Sequence, residues 1–254
     1  MKVLVILGAR KNGNTHHAAQ AMVNEMEKLG HVDAGYLFLR DYELKFCLGC
    51  RTCFDKGERA CPRKDDLLMI VDKIKEADGV IFSSPVFVND VSGEMKTLID
   101  RMAFITHRPA FFTKCSFILT TTHSVGNKHA RQSIGAATFA WAFHHVGSLG
   151  LCIPTVRGPP DLTREQKRIK KAARKFYRAI DRQLYRSPSL LSLAVFKVQQ
   201  RSWGRKENKG TLDYNYWVDN GYTDPDQSFF VVIKANWMKR TAAGLIGKVI
   251  LKFY

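Results

Sequence analysis

Short apolar runs alternate with stretches of helical periodicity along the first two-thirds of the chain. Lys2–Leu7 is an apolar run that ends at Gly8, and helix-like periodicity follows from Thr15 to Leu29. A second strand is expected near Ala34–Leu39. Asp65 or Asp66 can cap a helix running to about Ala77, with Leu67, Leu68, Val71 and Ile74 on its inner face. Gly79–Ser83 reads as a buried strand stopped by Pro85. Helix signals return from Glu94 to Phe104, with Met95, Leu98, Ile99 and Met102 inward. Cys115–Thr121 predicts a fourth strand, 127–146 a helix, Leu149–Pro154 a fifth strand and 162–186 a last long helix.

Strands alternating with helices predict right-handed βαβ crossovers and a parallel sheet covered on both faces. Five such strands fit a flavodoxin-like three-layer α/β sandwich with strand order 2-1-3-4-5. Residues 1–186 are expected to form this domain, with a cysteine-rich insertion at 46–64, and 187–254 a basic C-terminal extension. In such sheets ligands bind beyond the carboxyl ends of the strands, where the strand order switches. The loops after strands 1, 3 and 4 are therefore the places to look for chemistry.

The loop after strand 1 reads Gly8-Ala9-Arg10-Lys11-Asn12-Gly13-Asn14-Thr15 and opens a helix. Arg10, Asn12, Asn14 and Thr15 supply the cation, amide and hydroxyl donors that suit a phosphate at a helix N-terminus, and Gly13 permits close backbone approach. The loop is neither GxGxxG nor a Walker loop, which disfavours a Rossmann dinucleotide site or a nucleotide triphosphatase. The plainer reading is a cap at Asn14 or Thr15 with Asn12-Gly13 as the turn. After strand 3, Pro85, Val86, Phe87, Val88 and Asn89 offer an apolar wall and an amide, suited to a flat heteroaromatic ring or to a loop packed on its own Phe. After strand 4, Thr121, Thr122, His123 and Gly126 stand in a donor-rich loop; a lone loop histidine is more often a hydrogen-bonding residue than a proton donor.

Four cysteines change the picture. Cys47, Cys50, Cys53 and Cys61 are spaced C-x2-C-x2-C-x7-C and precede Pro62. A tight arc of three thiols with a fourth nearby can wrap a [4Fe–4S] cluster. Zinc sites more often use two C-x2-C pairs set well apart. On spacing alone, a cluster, a metal-free loop and zinc all stay open. Six cysteines with four of them bunched fit a reducing cytoplasm better than a secreted disulfide framework. The start, MKVLVILGAR, reads as a strand entering a loop and not as a secretory signal, and no apolar run is long enough for a transmembrane helix.

Together these motifs resemble the flavodoxin-fold NAD(P)H-dependent FMN oxidoreductases, particularly their iron–sulfur flavoprotein branch. The resemblance covers residues 2–156 and is carried by Arg10–Thr15, by Cys47–Cys61 followed by Asp65-Asp66, and by Ala77-Asp78-Gly79 leading to Ser84-Pro85-Val86-Phe87. Ser92–Lys96 with Ile99-Asp100-Arg101 completes it. It implies that the 10–15 loop holds the FMN phosphate, that Pro85–Asn89 line the isoalloxazine, and that the 120–126 loop closes the flavin's other side. The four cysteines would carry the cluster.

The implied activity passes electrons from NAD(P)H or a ferredoxin-type donor to a small acceptor such as a quinone or flavin. The alternative is a non-catalytic electron carrier or redox sensor of the same fold. No side-chain nucleophile or acid/base dyad is required. A homodimer or homotetramer is implied, because in relatives the cluster and flavin that exchange electrons can belong to different subunits. Two departures stand out. Leu7-Gly8-Ala9 replaces the family's usual Gly-Ser-Pro, removing one phosphate-binding hydroxyl, and the stretch before Cys61 is long and charged.

The net charge of +17 sits mostly in the last third. Residues 1–163 carry 20 basic and 16 acidic groups, a net +4, whereas 164–186 carry ten and two, a net +8, and 197–254 ten and five, a net +5. Such a surface suits an acidic ferredoxin-type partner. Asn236–Tyr254 can form a basic amphipathic helix for peripheral contact with anionic lipid, through Trp237, Leu245, Ile246, Val249, Ile250 and Phe253 flanked by Lys239, Arg240, Lys248 and Lys252. The plainer use of the tail is packing on its own or a partner subunit. Nucleic-acid binding is not expected, since no reading helix or RNA-binding signature accompanies the charge.

Overall fold

Five parallel strands form the central sheet: β1 (Lys2–Leu7), β2 (Asp33–Phe38), β3 (Gly79–Phe87), β5 (Cys115–Thr122) and β6 (His144–Cys152). A two-residue strand, β4 (Asp90–Val91), pairs antiparallel with the end of β3. The computed structural model describes residues 1–154, 158–234 and 236–251. The strands lie in the order β2-β1-β3-β5-β6, which is the expected flavodoxin-like 2-1-3-4-5 once β4 is set aside.

The period-two alternation of β1 places its side chains in two cores. Val3, Val5 and Leu7 pack under helices α1 (Asn14–Glu27) and α6 (Gln166–Asp181). Leu4 and Ile6 face helices α3 (Leu67–Glu76), α4 (Gly93–Arg101) and α5 (Asn127–Ala140) on the other side, while the one-turn α2 (Thr52–Asp55) lies within the cysteine-rich segment. Both faces of the sheet are therefore covered, as a parallel sheet requires. On α3 the buried positions are Leu67, Ile70, Val71 and Ile74; Leu68, expected inward, is half-buried.

Several boundaries differ from the sequence reading: the helices expected over 94–104 and 162–186 span Gly93–Arg101 and Gln166–Asp181. β3 runs through Pro85 to Phe87 instead of stopping there. Its ladder with β1 ends at Leu7 and Ser83, while Pro85 pairs with Thr121 of β5, so the donor that proline lacks falls beyond the end of β1. The expected helix 127–146 ends at Ala140, and β6 begins at His144 instead of Leu149. Ala142 takes the left-handed conformation at φ 66°. The Ala142 N–H donates to Phe139 O and the Phe143 N–H to Thr138 O, a Schellman ending built without glycine.

Beyond α6, helices α7 (Leu190–Trp203), α8 (Leu212–Asp219) and α9 (Trp237–Ile250) gather around an aromatic cluster of Phe196, Trp217, Tyr222, Phe229 and Phe230. The cluster meets the sheet-bearing part at Phe112, whose ring stacks on Phe230 with centroids 4.9 Å apart. α9 lays Ala243 and Gly247 against its neighbours and leaves Trp237, Leu245 and Val249 exposed. Lys252 and Phe253 lie outside the described residues. Among those residues, no helix is long and apolar enough to cross a membrane.

Candidate functional site

A cavity of about 710 Å³ opens at the carboxyl ends of β1, β3 and β5. Of the residues singled out in the sequence, Arg10, Asn14, Thr15, Pro85, Val86, Phe87, Thr121, Thr122 and His123 line it. Asn12, Val88, Asn89 and Gly126 do not, but they shape its walls. Gly8, Arg40, Ser92, Glu94 and Ile153 also line it: Gly8 opens the loop after strand 1, Ser92 and Glu94 entered the sequence reading only within the resemblance, and Arg40 and Ile153 carry no local motif.

The floor is the turn into α1. Asn12 is left-handed at φ 59°, and its N–H donates to Nδ1 of buried His16 at 3.0 Å. Burial, then the nearby charges of His17 and Lys11, push the His16 pKa down, which suits a neutral ring accepting that bond. Gly13 stands at the N-cap, where no side chain caps the helix, so the first-turn N–H groups face the cavity end beside Arg10. Thr15 and Thr121 share a 2.6 Å hydroxyl–hydroxyl hydrogen bond that ties this floor to the end of β5.

The side walls are two loops that touch. Val86 pairs with Val91 and Phe87 with Asp90, so Val88 and Asn89 form a two-residue hairpin turn, both at positive φ (47° and 67°). Val88 therefore points into solvent, and Phe87, itself exposed, forms the rim. A Cβ at Gly126 would come within 2.8 Å of Val86 and 3.0 Å of the Asn89 amide, so glycine is what lets the 122–126 loop close on this hairpin. His123 stands exposed at the mouth. At the β2 end, Arg40 pairs with Glu94 at 3.0 Å. Ser92 caps α4 by accepting the Met95 N–H, and a Cβ at residue 8 would meet the Ser92 hydroxyl at 2.5 Å. Glycine at position 8 is thus the residue this packing admits.

The cysteines lie elsewhere. Cys47, Cys50, Cys53 and Cys61 all line a second, smaller cavity of about 190 Å³, floored by Arg101, Ala103 and Phe104. Left-handed Gly49, Arg51 and Gly57 turn the loop around it. Hydrogen bonds from Thr52 hold the exposed Cys50 thiol below its usual pKa. Burial, then the charges of Cys61, Cys47 and Cys50, push Cys53 up. Among the described residues no three His, Cys, Asp or Glu side chains converge on a single-ion site. Cys115, buried in β5 with its pKa pushed up to about 12 chiefly by burial, and exposed Cys152 take no part in this pocket. Helix α4 joins the two cavities: Gly93 and Glu94 border the larger and Arg101 the smaller, roughly 12 Å apart along the helix axis.

Arg101 is the organising residue here, and it was visible in the sequence only as part of a motif. Its guanidinium donates to the carbonyls of Lys45 (2.7 Å) and Arg63 (3.3 Å), on either side of the cysteine run, and reaches Cys61 Sγ at 3.9 Å. Asp65, expected as a helix cap, accepts the Leu67 N–H at 3.2 Å but also forms a buried ion pair with Arg101.

Residues 1–155 match the sequence profile of the NADPH-dependent FMN reductases. An iron–sulfur flavoprotein of Archaeoglobus fulgidus is 30% identical over 229 residues, 87% of this chain and all of that protein. One from Clostridioides difficile is 29% identical over 194 residues, 76% of this chain and 84% of that protein. A third, from Methanocaldococcus jannaschii, is 40% identical over 102 residues, a match spanning 40% of this chain and 51% of that one. Among solved structures, RosB with bound 8-demethyl-8-formylriboflavin-5′-phosphate superposes with a TM-score of 0.59 at 15% identity, covering 81% of this chain and 88% of that one. A flavone reductase does so at 0.57 and 15%, covering 71% and 63%. At such identity these two show the fold.

Proposed function

This chain belongs to the NADPH-dependent FMN reductase family, and on that premise we propose that it is an FMN oxidoreductase whose four clustered cysteines carry a [4Fe–4S] cluster. Electrons would enter from NAD(P)H or a ferredoxin-type donor and leave to a small acceptor such as a quinone or a flavin. The observation that carries the reading is the mixed chemistry of the larger cavity: the glycine-capped N-terminus of α1 with Arg10 in one part of its lining, and Pro85, Val86 and Phe87 in another. The first suits a phosphate and the second a flat ring.

FMN, when bound, supplies hydride or single-electron chemistry and a cluster supplies single-electron transfer. The protein's own part is to bind and orient. Arg10, Asn14, Thr15 and the first-turn N–H groups of α1 would hold the phosphate. Pro85, Val86 and Phe87 would lie along one side of the ring, and Thr121, Thr122 and His123 along the other. Cys47, Cys50, Cys53 and Cys61 would hold iron. Their shared cavity supports this, as do the names of the relatives. Arg101 would hold the two ends of their loop.

Anaerobic turnover tests the activity. Oxidation of NADPH or NADH, or of a chemically reduced ferredoxin, coupled to a quinone or free flavin, is expected of the oxidoreductase. Reduction of the bound flavin without turnover onto any acceptor would mark a carrier or sensor instead. A second reading, peripheral attachment to anionic lipid, is favoured by the exposed Trp237, Leu245 and Val249 beside Lys239 and Lys248 on α9. Co-sedimentation with phosphatidylserine vesicles tests it.

A further inference from the structure

Helices α7 and α8 reach the cysteine loop at three places, one directly and two through Arg108 and His107. Asp213 of α8, with its side chain 8% exposed, forms an ion pair with Arg108 and a 2.8 Å hydrogen bond with His107 Nδ1. Arg108 in turn donates through Nη2 to the backbone carbonyl of Cys53 at 2.7 Å and lies 3.5 Å from the Glu58 carboxylate. The His107 ring sits between Phe54, centroids 4.5 Å apart, and Trp203 of α7, at 4.8 Å. Leu212 of α8 closes over Gly57, its Cδ1 3.7 Å from where a Cβ would stand. The arm between Cys53 and Cys61 is thus held at Cys53, Phe54, Gly57 and Glu58, directly or through one residue, by the segment 190–219.

We infer that this segment is a clamp for the cysteine loop, and that Asp213 is a positioning residue that acts on Cys53 through Arg108. Two arginines share the work. Arg101 secures the Cys61 end, with Asp65 as its carboxylate; Arg108 secures the Cys53 end, with Asp213 as its carboxylate. The long charged stretch before Cys61 then has a reason: its Glu58 and its backbone are what the clamp grips. Docking of the helices themselves rests on the aromatic cluster and on the Trp217 Nε1–H bond to His107 O at 2.9 Å, so the Asp213 charge is surplus to docking. A carboxylate buried this far is costly unless its partners use it. The consequence for a cluster rests on the proposed role of the four cysteines, whereas the clamp belongs to the metal-free chain.

The test uses the full-length chain in both forms. In metal-free protein, the iodoacetamide labelling rate of Cys53 and amide exchange over 52–61 are compared for wild type, Asp213→Asn, Asp213→Glu and Trp203→Leu. Cys115 labelling and FMN affinity serve as folding controls. Asp213→Asn is expected to raise Cys53 labelling and exchange about tenfold, the factor for one lost charge-assisted hydrogen bond in a local opening. Asp213→Glu should restore most of the protection, and the controls should not move. In reconstituted protein, Asp213→Asn should lose iron to a chelator faster than wild type. Wild-type labelling in both Asp213→Asn and Trp203→Leu, with the controls intact, overturns the clamp whatever the iron content. If wild type takes up no iron while the labelling contrast persists, the cluster reading fails and the clamp stands.

Discussion

The guanidinium of Arg101 and the carboxylate of Asp65 form an ion pair inside the protein, with side chains only 2% and 1% exposed. Removing one member of such a pair strands a buried charge and costs about 3–5 kcal/mol. Arg101→Ala should therefore lower the unfolding free energy by about that much in urea titrations of the metal-free protein. Arg101→Lys, which keeps the charge but not the fork that reaches Asp65, Lys45 and Arg63, should recover only part of it.

The same pair makes stability depend on acid. Burial alone would raise the Asp65 pKa, but hydrogen bonds from Arg101 and from the Lys45 and Leu67 N–H groups outweigh it and hold the carboxyl below its ordinary 3.8. A pKa depressed in the folded state gives stability that is fully present above the unfolded value and is lost as pH falls through the folded one. Wild-type stability should fall as pH drops below 3.8, and Asp65→Asn should flatten that part of the curve. Thermal melts between neutral pH and the acid limit would show it.

Arg10 stands beside Gly13 at the N-terminus of α1, where the proposed function puts the phosphate end of a flavin. A charge-assisted bond to phosphate is worth roughly 1.5–3 kcal/mol, so Arg10→Ala should weaken FMN binding about tenfold or more. Riboflavin, which lacks the phosphate, should bind both proteins alike. Flavin fluorescence titration separates the two cases.

Val88 is a β-branched residue in a left-handed turn position, fully open to solvent. The strain has no compensating contact there, so Val88→Asn should raise the unfolding free energy by about 1 kcal/mol without changing FMN affinity. Gly126→Ala is the opposite case. Its added methyl meets Val86 and Asn89 at a residue with φ 92°, so it should cost stability and loosen FMN together.

Much of the sheet was legible because alternation and apolar runs report burial directly: β1 and β5 begin where their patterns begin. β6 was not, because the signal that ends α5 is an alanine at positive φ where glycine is the usual mark, and nothing at Ala142 announces it. The cavity loops were found from their donors and from Gly13. Arg40, Ser92 and Glu94 enter the same cavity from β2 and α4, and no spacing in the chain predicts that convergence. The pairs that hold the cysteine loop, Arg101 with Asp65 and Arg108 with Asp213, join residues 36 and 105 apart, and only the fold brings them together.

The most direct test of the central claim is an absorption spectrum with iron and acid-labile sulfide analysis of the anaerobically purified full-length protein. The account predicts flavin bands together with broad iron–sulfur absorbance, four iron and four sulfide per chain, and loss of the iron but not the flavin in Cys53→Ser. Flavin without iron in the wild-type protein would contradict the role assigned to the four cysteines, and the absence of both chromophores would contradict the account as a whole.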